Sequence, residues 1–139
     1  MRYVIDTNII SEFISKSPNQ AVLDFINSLD ERDIYLSVIT IGEVKFGIQN
    51  VKSESRKVEL INWLENDLLT RFSGRILDID TPTMLKWGEI NQQLKSIGRP
   101  IPIMDSLIAS SSIVNEMTLV TRNVKDFYNF DIDIINPFV

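Results

Sequence analysis

Short β-rich runs alternate with helical stretches along this chain, and that alternation admits few architectures. Residues from about Arg2 to Ile5, Ile34 to Val38, Arg75 to Ile79, Thr118 to Thr121 and Ile132 to Ile135 read as strands. Between them, apolar residues recur at helical spacing. A short helix is predicted from Asn8 to Ile14, with Thr7 available to cap it. Beyond the Ser17-Pro18 break, Val22, Phe25, Ile26 and Leu29 share a face, and Ile41, Val44, Ile48 and Val51 mark the next one. A longer, charge-rich helix runs from Ser53 to Arg71 with Val58, Ile61, Leu64 and Leu68 inward. Pro82 opens another, striped by Trp87, Ile90, Leu94 and Ile97, and the stiff loop Gly98-Arg99-Pro100-Ile101-Pro102 ends it. Strands separated by helices predict an α/β fold, with helices on both faces of a mainly parallel sheet of four to five strands. Nothing marks a second domain, so residues 1–139 are expected to form one.

The acids fall where such a sheet would gather them. Asp6 closes the first strand, Glu43 lies in the helix after the second, Asp105 begins the helix before the fourth, and Asn123 and Asp126 follow the fourth. Ligands of parallel sheets bind just outside the carboxyl ends of the strands. Carboxylates converging there repel by roughly 4 kcal/mol per pair at 4 Å and an effective dielectric near 20. A hard divalent cation such as Mg²⁺ or Mn²⁺ makes such a cluster tolerable.

Composition narrows the chemistry further. The chain has no cysteine and no histidine. Thiol nucleophiles, Ser-His-Asp triads, Cys/His zinc sites and histidine acid–base catalysis are therefore excluded. A net charge of −5 argues against gripping nucleic acid by bulk electrostatics, without excluding a nuclease whose acids hold cations. No apolar run is long enough to span a membrane, and Met1-Arg2-Tyr3-Val4-Ile5-Asp6 is too short and too early-charged for a signal peptide, so the expected location is cytoplasmic.

Each motif also has a plain structural explanation. Asp6-Thr7-Asn8 supplies a carboxylate, a hydroxyl and an amide, but Asp6 or Thr7 serves equally as a helix cap. Glu43 is favoured by the dipole of its helix whatever its role, and Gly47, one turn on, leaves room beside it. Asp105 sits among Ile101, Ile103, Met104, Leu107 and Ile108, a segment expected to be buried, where a carboxylate needs a partner unless it caps the helix. In Thr121-Arg122-Asn123-Val124-Lys125-Asp126, Asn123 or Asp126 completes an oxygen-rich site and Arg122 or Lys125 touches phosphate; a turn using Asn and Asp locally explains the same residues.

Taken in order, these pieces resemble the PIN-domain ribonucleases, specifically VapC/FitB-type toxins of type II toxin–antitoxin pairs. The resemblance spans essentially the whole chain. It rests on Tyr3-Val4-Ile5-Asp6-Thr7-Asn8, on Leu36-Ser37-Val38-Ile39-Thr40-Ile41-Gly42-Glu43 and on Phe72-Ser73-Gly74-Arg75-Ile76-Leu77. It continues through Ile103-Met104-Asp105-Ser106-Leu107-Ile108-Ala109, Leu119-Val120-Thr121-Arg122-Asn123 and the closing Asn136-Pro137-Phe138. The resemblance implies a PIN-like three-layer α/β/α sandwich with Asp6, Glu43 and Asp105 as the acids that hold Mg²⁺ or Mn²⁺, and Thr7 or Thr121 supporting them. Many relatives carry an Asp where this chain has Asn123, which keeps an oxygen but loses a charge; Asp126 is the substitute one turn later. The resemblance further implies an RNA substrate, a homodimer, and a DNA-binding antitoxin that plugs the acidic groove.

The residues agree on a mechanism. Asp6 and Asp105 would hold a metal able to polarise the scissile phosphate and lower the pKa of a bound water, with Glu43 as ligand or general base. Two other readings compete. A binding-only module would keep a partner but not cleave, Asn123 marking its weakened site. A phosphohydrolase with Asp6 as nucleophile would want a second acid where the chain has Asn8, and no Gly-rich phosphate loop is present.

Overall fold

A computed structural model of the chain describes residues 1–138. Five strands, β1 (Tyr3–Ile5), β2 (Ile34–Ser37), β3 (Ile76–Leu77), β4 (Thr118–Val120) and β5 (Ile134–Ile135), form one sheet in the order β3-β2-β1-β4-β5. Every neighbouring pair is parallel, with Tyr3 opposite both Ile34 and Thr118. Parallel pairing requires crossover connections, and the amphipathic segments supply them.

Alternation along the strands assigns the two faces. Ile5, Ile34, Leu36 and Val120 point into one apolar core, Val4 and Leu119 into the other. The first core is roofed by α1 (Thr7–Ile10), α2 (Gln20–Asn27), α3 (Val38–Gln49) and α4 (Glu54–Asn62), through Ile9, Val22, Ile26, Val44, Ile48 and Leu60. A short α5 (Leu69–Arg71) extends that layer, and α6 (Thr81–Ser96) and α7 (Ile103–Val114) close the opposite face with Ile90, Leu94, Ile108 and Ala109. The expected three-layer α/β/α sandwich is the observed architecture. No helix among the described residues is long and apolar enough to cross a membrane.

Three local details differ from the sequence expectation. Of the two expected caps of α1, Asp6 serves and the Thr7 option is not used: the Asp6 carboxylate accepts the Thr7 backbone N–H at 2.7 Å, and Thr7 is the first helical residue. The charge-rich helix also turns differently. Val58, expected inward, is 64% exposed, whereas Leu60 is buried and Leu64 is 3% exposed. Between α4 and α5 the chain widens into a π-helix over Trp63–Leu68. Leucines four residues apart drift around a 3.6-residue helix, and the wider turn keeps Leu60, Leu64 and Leu68 on the sheet side. Finally, Leu29, Val51 and Ile97 fall just past the ends of their helices.

The end of α6 and start of α7 place Asp105. Gly98 has φ +67°, its N–H donates to Lys95 O at 3.1 Å, and Arg99 N–H reaches Leu94 O at 2.8 Å. This reversal needs the left-handed conformation that glycine adopts freely. Pro102 then leads into α7, so Asp105 is its third residue. The Trp87 indole N–H donates to Ser106 Oγ at 2.9 Å, fastening the first turn of α7 to α6.

The register of the widened helix is testable. Leu64→Ala should destabilise the chain by about 2–4 kcal/mol, while Val58→Ala should stay within about 0.5 kcal/mol. Urea denaturation distinguishes this from the original stripe, in which both changes would be costly.

Candidate active site

Chain direction across the sheet reverses between β1 and β4, because β2 and β3 add on one side and β4 and β5 on the other. Such a switch point opens a crevice at the carboxyl ends of the strands. Asp6 sits there, one residue past β1 and only 3% exposed. Its Oδ1 accepts the Thr7 backbone N–H, and its Oδ2 accepts the Thr121 hydroxyl at 2.7 Å. Thr121 follows β4, so this bond crosses the switch point.

Neighbouring side chains extend the network. The Asn8 amide N–H lies 3.4 Å from Asp6 Oδ2 and 3.3 Å from Thr121 Oγ1, while Asn8 Oδ1 accepts the Arg122 backbone N–H at 3.1 Å. The Asn123 backbone N–H donates to Thr121 Oγ1 at 3.0 Å. On the other side, the Thr7 hydroxyl donates to Glu43 Oε1 at 2.6 Å, and the Thr40 hydroxyl lies 3.1 Å from it. A hydroxyl has one proton, so Thr7 spends its proton on Glu43 and Thr40 donates to Thr7. Asp6 and Glu43 are thus linked through the backbone N–H and the hydroxyl of Thr7.

Asp105 reaches the crevice from α7. Its segment is not buried as expected: Ile103 is 63% exposed and Met104 48%, leaving the carboxyl half-buried. Pro102 occupies the cap position of α7, so Asp105 does not cap that helix, and it accepts no hydrogen bond among the described residues. Burial first, then the charges of Asp6, Glu43 and Asp126, push its carboxyl up to about 6. Burial also raises Asp6 above the ordinary range, with the Glu43 charge adding to it and the Thr121 and Thr7 hydrogen bonds opposing. The four acids scattered in sequence therefore lie within one another's electrostatic field.

Asn123 behaves otherwise. It is exposed, it stands at the start of the 3₁₀ turn Val124–Phe127, and its side chain makes no capping bond there. Arg122 and Lys125 are also exposed and line a pocket with Asn123 and Asp126. Two participants had no assigned role in the sequence reading. Asn8 lay inside the Asp6-Thr7-Asn8 motif, and Thr40 stands three residues before Glu43, hence on the same helical face.

Bond accounting shows which oxygens remain open. Asp6 Oδ1 keeps one lone pair, Glu43 keeps Oε2, and both Asp105 oxygens are uncommitted among the described residues. This all-oxygen donor set suits a hard divalent cation. Among the described residues no three acids lie close enough to hold one ion as they stand, so binding would have to draw them together.

Comparison with known proteins settles the fold family. The PIN domain model matches residues 3–132. The chain belongs to the PIN-domain family. The toxin FitB of Neisseria gonorrhoeae is 33% identical to this PIN domain over 135 residues, covering 97% of each chain. The VapC ribonuclease Y4jK of Sinorhizobium fredii is also 33% identical over 135 residues, covering 97% of this chain and 96% of that one. Among solved structures, FitAcB from Neisseria gonorrhoeae superposes with a TM-score of 0.94 at 33% identity over 98% of both chains. VapBC2 from Rickettsia felis, bound to a promoter DNA fragment, gives a TM-score of 0.81 at 27% identity over 98% of both chains.

The raised Asp105 carboxyl has a stability consequence for the metal-free PIN domain. Its folded value of about 6 exceeds the ordinary one, so the native state holds the extra proton between pH about 4 and 6. The group's contribution is most favourable below that window and is lost as pH rises through it. In EDTA at pH 7, Asp105→Asn should therefore unfold later than wild type, by on the order of 1 kcal/mol after solvent screening is allowed for. The difference should close below pH about 4. A variant no more stable at pH 7 would show that the acids do not strain the crevice.

Proposed function

We propose that this PIN domain is a divalent-metal-dependent endoribonuclease, the toxin of a toxin–antitoxin pair. The observation that carries the reading is that Asp6, Glu43 and Asp126 all act electrostatically on Asp105 near the switch point of the sheet, with the Thr7 and Thr121 hydroxyls bound to Glu43 and Asp6. The ribonuclease name of its relative Y4jK and the toxin name of FitB support the same assignment.

Asp6, Glu43 and Asp105 would hold Mg²⁺ or Mn²⁺ through the oxygens left open above. When bound, the ion supplies Lewis-acid polarisation of the scissile phosphate and an activated water. Asp6 is held rigidly by two short hydrogen bonds and orients the site. The bond from Thr7 engages Glu43 Oε1 and leaves Oε2 free, which would orient water or accept its proton. Asp126 adds the negative charge that the amide of Asn123 lacks.

The reading includes a small DNA-binding antitoxin that plugs the acidic groove, in line with relatives solved as toxin–antitoxin complexes, one on promoter DNA. It also includes a homodimer, RNA as the substrate and a cytoplasmic site of action.

The test compares wild type with Asp6→Asn and Asp105→Asn on mixed RNA, each with Mg²⁺, Mn²⁺ or EDTA. Cleavage should require metal and fall by about 10²-fold or more in both variants. Asparagine at position 6 retains the helix cap, so folding survives the change. Thr121→Val should cost about 10–100-fold by freeing the Asp6 carboxylate from its support. Cleavage that persists in EDTA or in both variants would defeat the reading. Metal and partner binding without cleavage would favour the binding-only module.

A further inference from the structure

Just past Thr121 the chain builds a second pocket. It has a volume of about 420 Å³ and is lined by Arg122, Asn123, Val124, Lys125, Asp126, Tyr128 and Asn136. Two cations, Arg122 and Lys125, line the same pocket, and neither pairs with a carboxylate among the described residues. Arg122 is fixed by other means. Its backbone N–H is bound to Asn8, and its guanidinium lies 4.8 Å from the centre of the Phe138 ring. Phe138 is itself held, its N–H donating to Asn136 Oδ1 at 3.0 Å. A guanidinium stacked on an aromatic keeps its donors free for an anion and loses little freedom on binding one.

Tyr128 completes the picture. It stands on the rim of the same pocket, 73% exposed, although an aromatic of this size is usually at least half covered. Cations for a phosphate beside a bare aromatic face form the usual pairing for an unstacked nucleotide. The pocket has room for one nucleotide, and the Asn8 side chain ties it directly to the Asp6 carboxylate.

We propose that this pocket holds the nucleotide adjacent to the scissile phosphate, Arg122 and Lys125 binding its phosphate and Tyr128 stacking its base. The assignment rests on the ribonuclease reading and narrows its substrate class to RNA with unpaired bases, since a base inside a duplex cannot reach Tyr128. It also explains how a chain of net charge −5 holds RNA: it uses two local cations and stacking in place of a basic surface.

The test measures binding of a short mixed-sequence single-stranded RNA by fluorescence anisotropy in EDTA across a salt series, with cleavage in Mg²⁺ followed in parallel. Lys52→Gln, which removes an exposed cation elsewhere, controls for net charge. Arg122→Gln and Lys125→Gln should each flatten the slope of log affinity against log salt by about 0.7. Tyr128→Leu should weaken binding by about 10-fold, and Tyr128→Phe should restore it. In cleavage, these losses should appear mainly as higher KM. Slopes and affinities matching Lys52→Gln would overturn the pocket, as would failure of wild type to bind the RNA. Flattened slopes without metal-dependent cleavage by wild type would support the pocket and overturn the ribonuclease reading.

Discussion

A buried carboxylate at the end of β1 is the constraint around which the rest of the molecule is arranged. Asp6 is nearly inaccessible to water, and an unpaired charge in that position would cost several kcal/mol. Two features make it tolerable. The start of α1 presents the Thr7 N–H to one oxygen, and the pairing of β1 with β4 brings the Thr121 hydroxyl to the other. Neither exists without the sheet order, because Thr121 is distant in sequence and reaches Asp6 only when β4 lies beside β1. The topology thus supplies the two donors that oppose the burial of Asp6, and Asp6 in turn caps the helix that follows. Fold and site support each other through the same two hydrogen bonds.

The remaining acids are held by different parts of the fold, and their mutual repulsion is a standing cost. Glu43 is restrained from α3 through Thr7 and Thr40. Asp105 is delivered by the reversal between α6 and α7 and by the Trp87–Ser106 bond, with no donor to offset its charge among the described residues. A chain selected for stability alone would not bring three carboxylates toward a fourth in a crevice. Such a cluster is what the proposed cation-dependent centre would require, and the free lone pairs on Asp6, Glu43 and Asp105 are where a cation would offset its charge. Ile103 and Met104 are exposed in that same first turn of α7, where Asp105 lies within reach of the charges of Asp6 and Glu43.

Much of this was legible in the sequence because it follows from periodicity and strand-end position. Val4 and Ile5, or Leu119 and Val120, alternate between cores as period two demands, and the parallel order follows from helices placed between strands. The convergence of Asp6, Glu43 and Asp105 was readable for the same reason. What escaped depends on tertiary choice. Thr7 reads as a good cap by residue type, yet its hydroxyl is claimed by Glu43, and no local pattern reveals a partner so far along the chain. The π segment at Trp63–Leu68 defeated a stripe drawn at 3.6 residues per turn, putting Val58 in solvent and Leu60 in the core. Asp105 looked buried because five apolar neighbours surround it in sequence, but apolar composition does not distinguish a core segment from the lip of a crevice.

The position of Asn123 shows how charge is divided across the site. An Asp there would stand between the acidic crevice and the Arg122–Lys125 pocket, and would pair with either cation at hand. The amide leaves both cations unpaired, and the backbone N–H of Asn123 supports the Thr121 hydroxyl that holds Asp6. Asp126 then supplies negative charge from one turn further on, close enough to act on Asp105. The crevice acids and the Arg122–Lys125 pair thus stand within a few residues of Thr121, and Asp126 belongs to both, lining the pocket while its charge acts on Asp105. On the proposed reading, a phosphodiester spanning both would set its reacting phosphate among the crevice acids and its neighbour beside the Arg122 guanidinium. Net charge hides this arrangement, since −5 averages over surfaces that do opposite work.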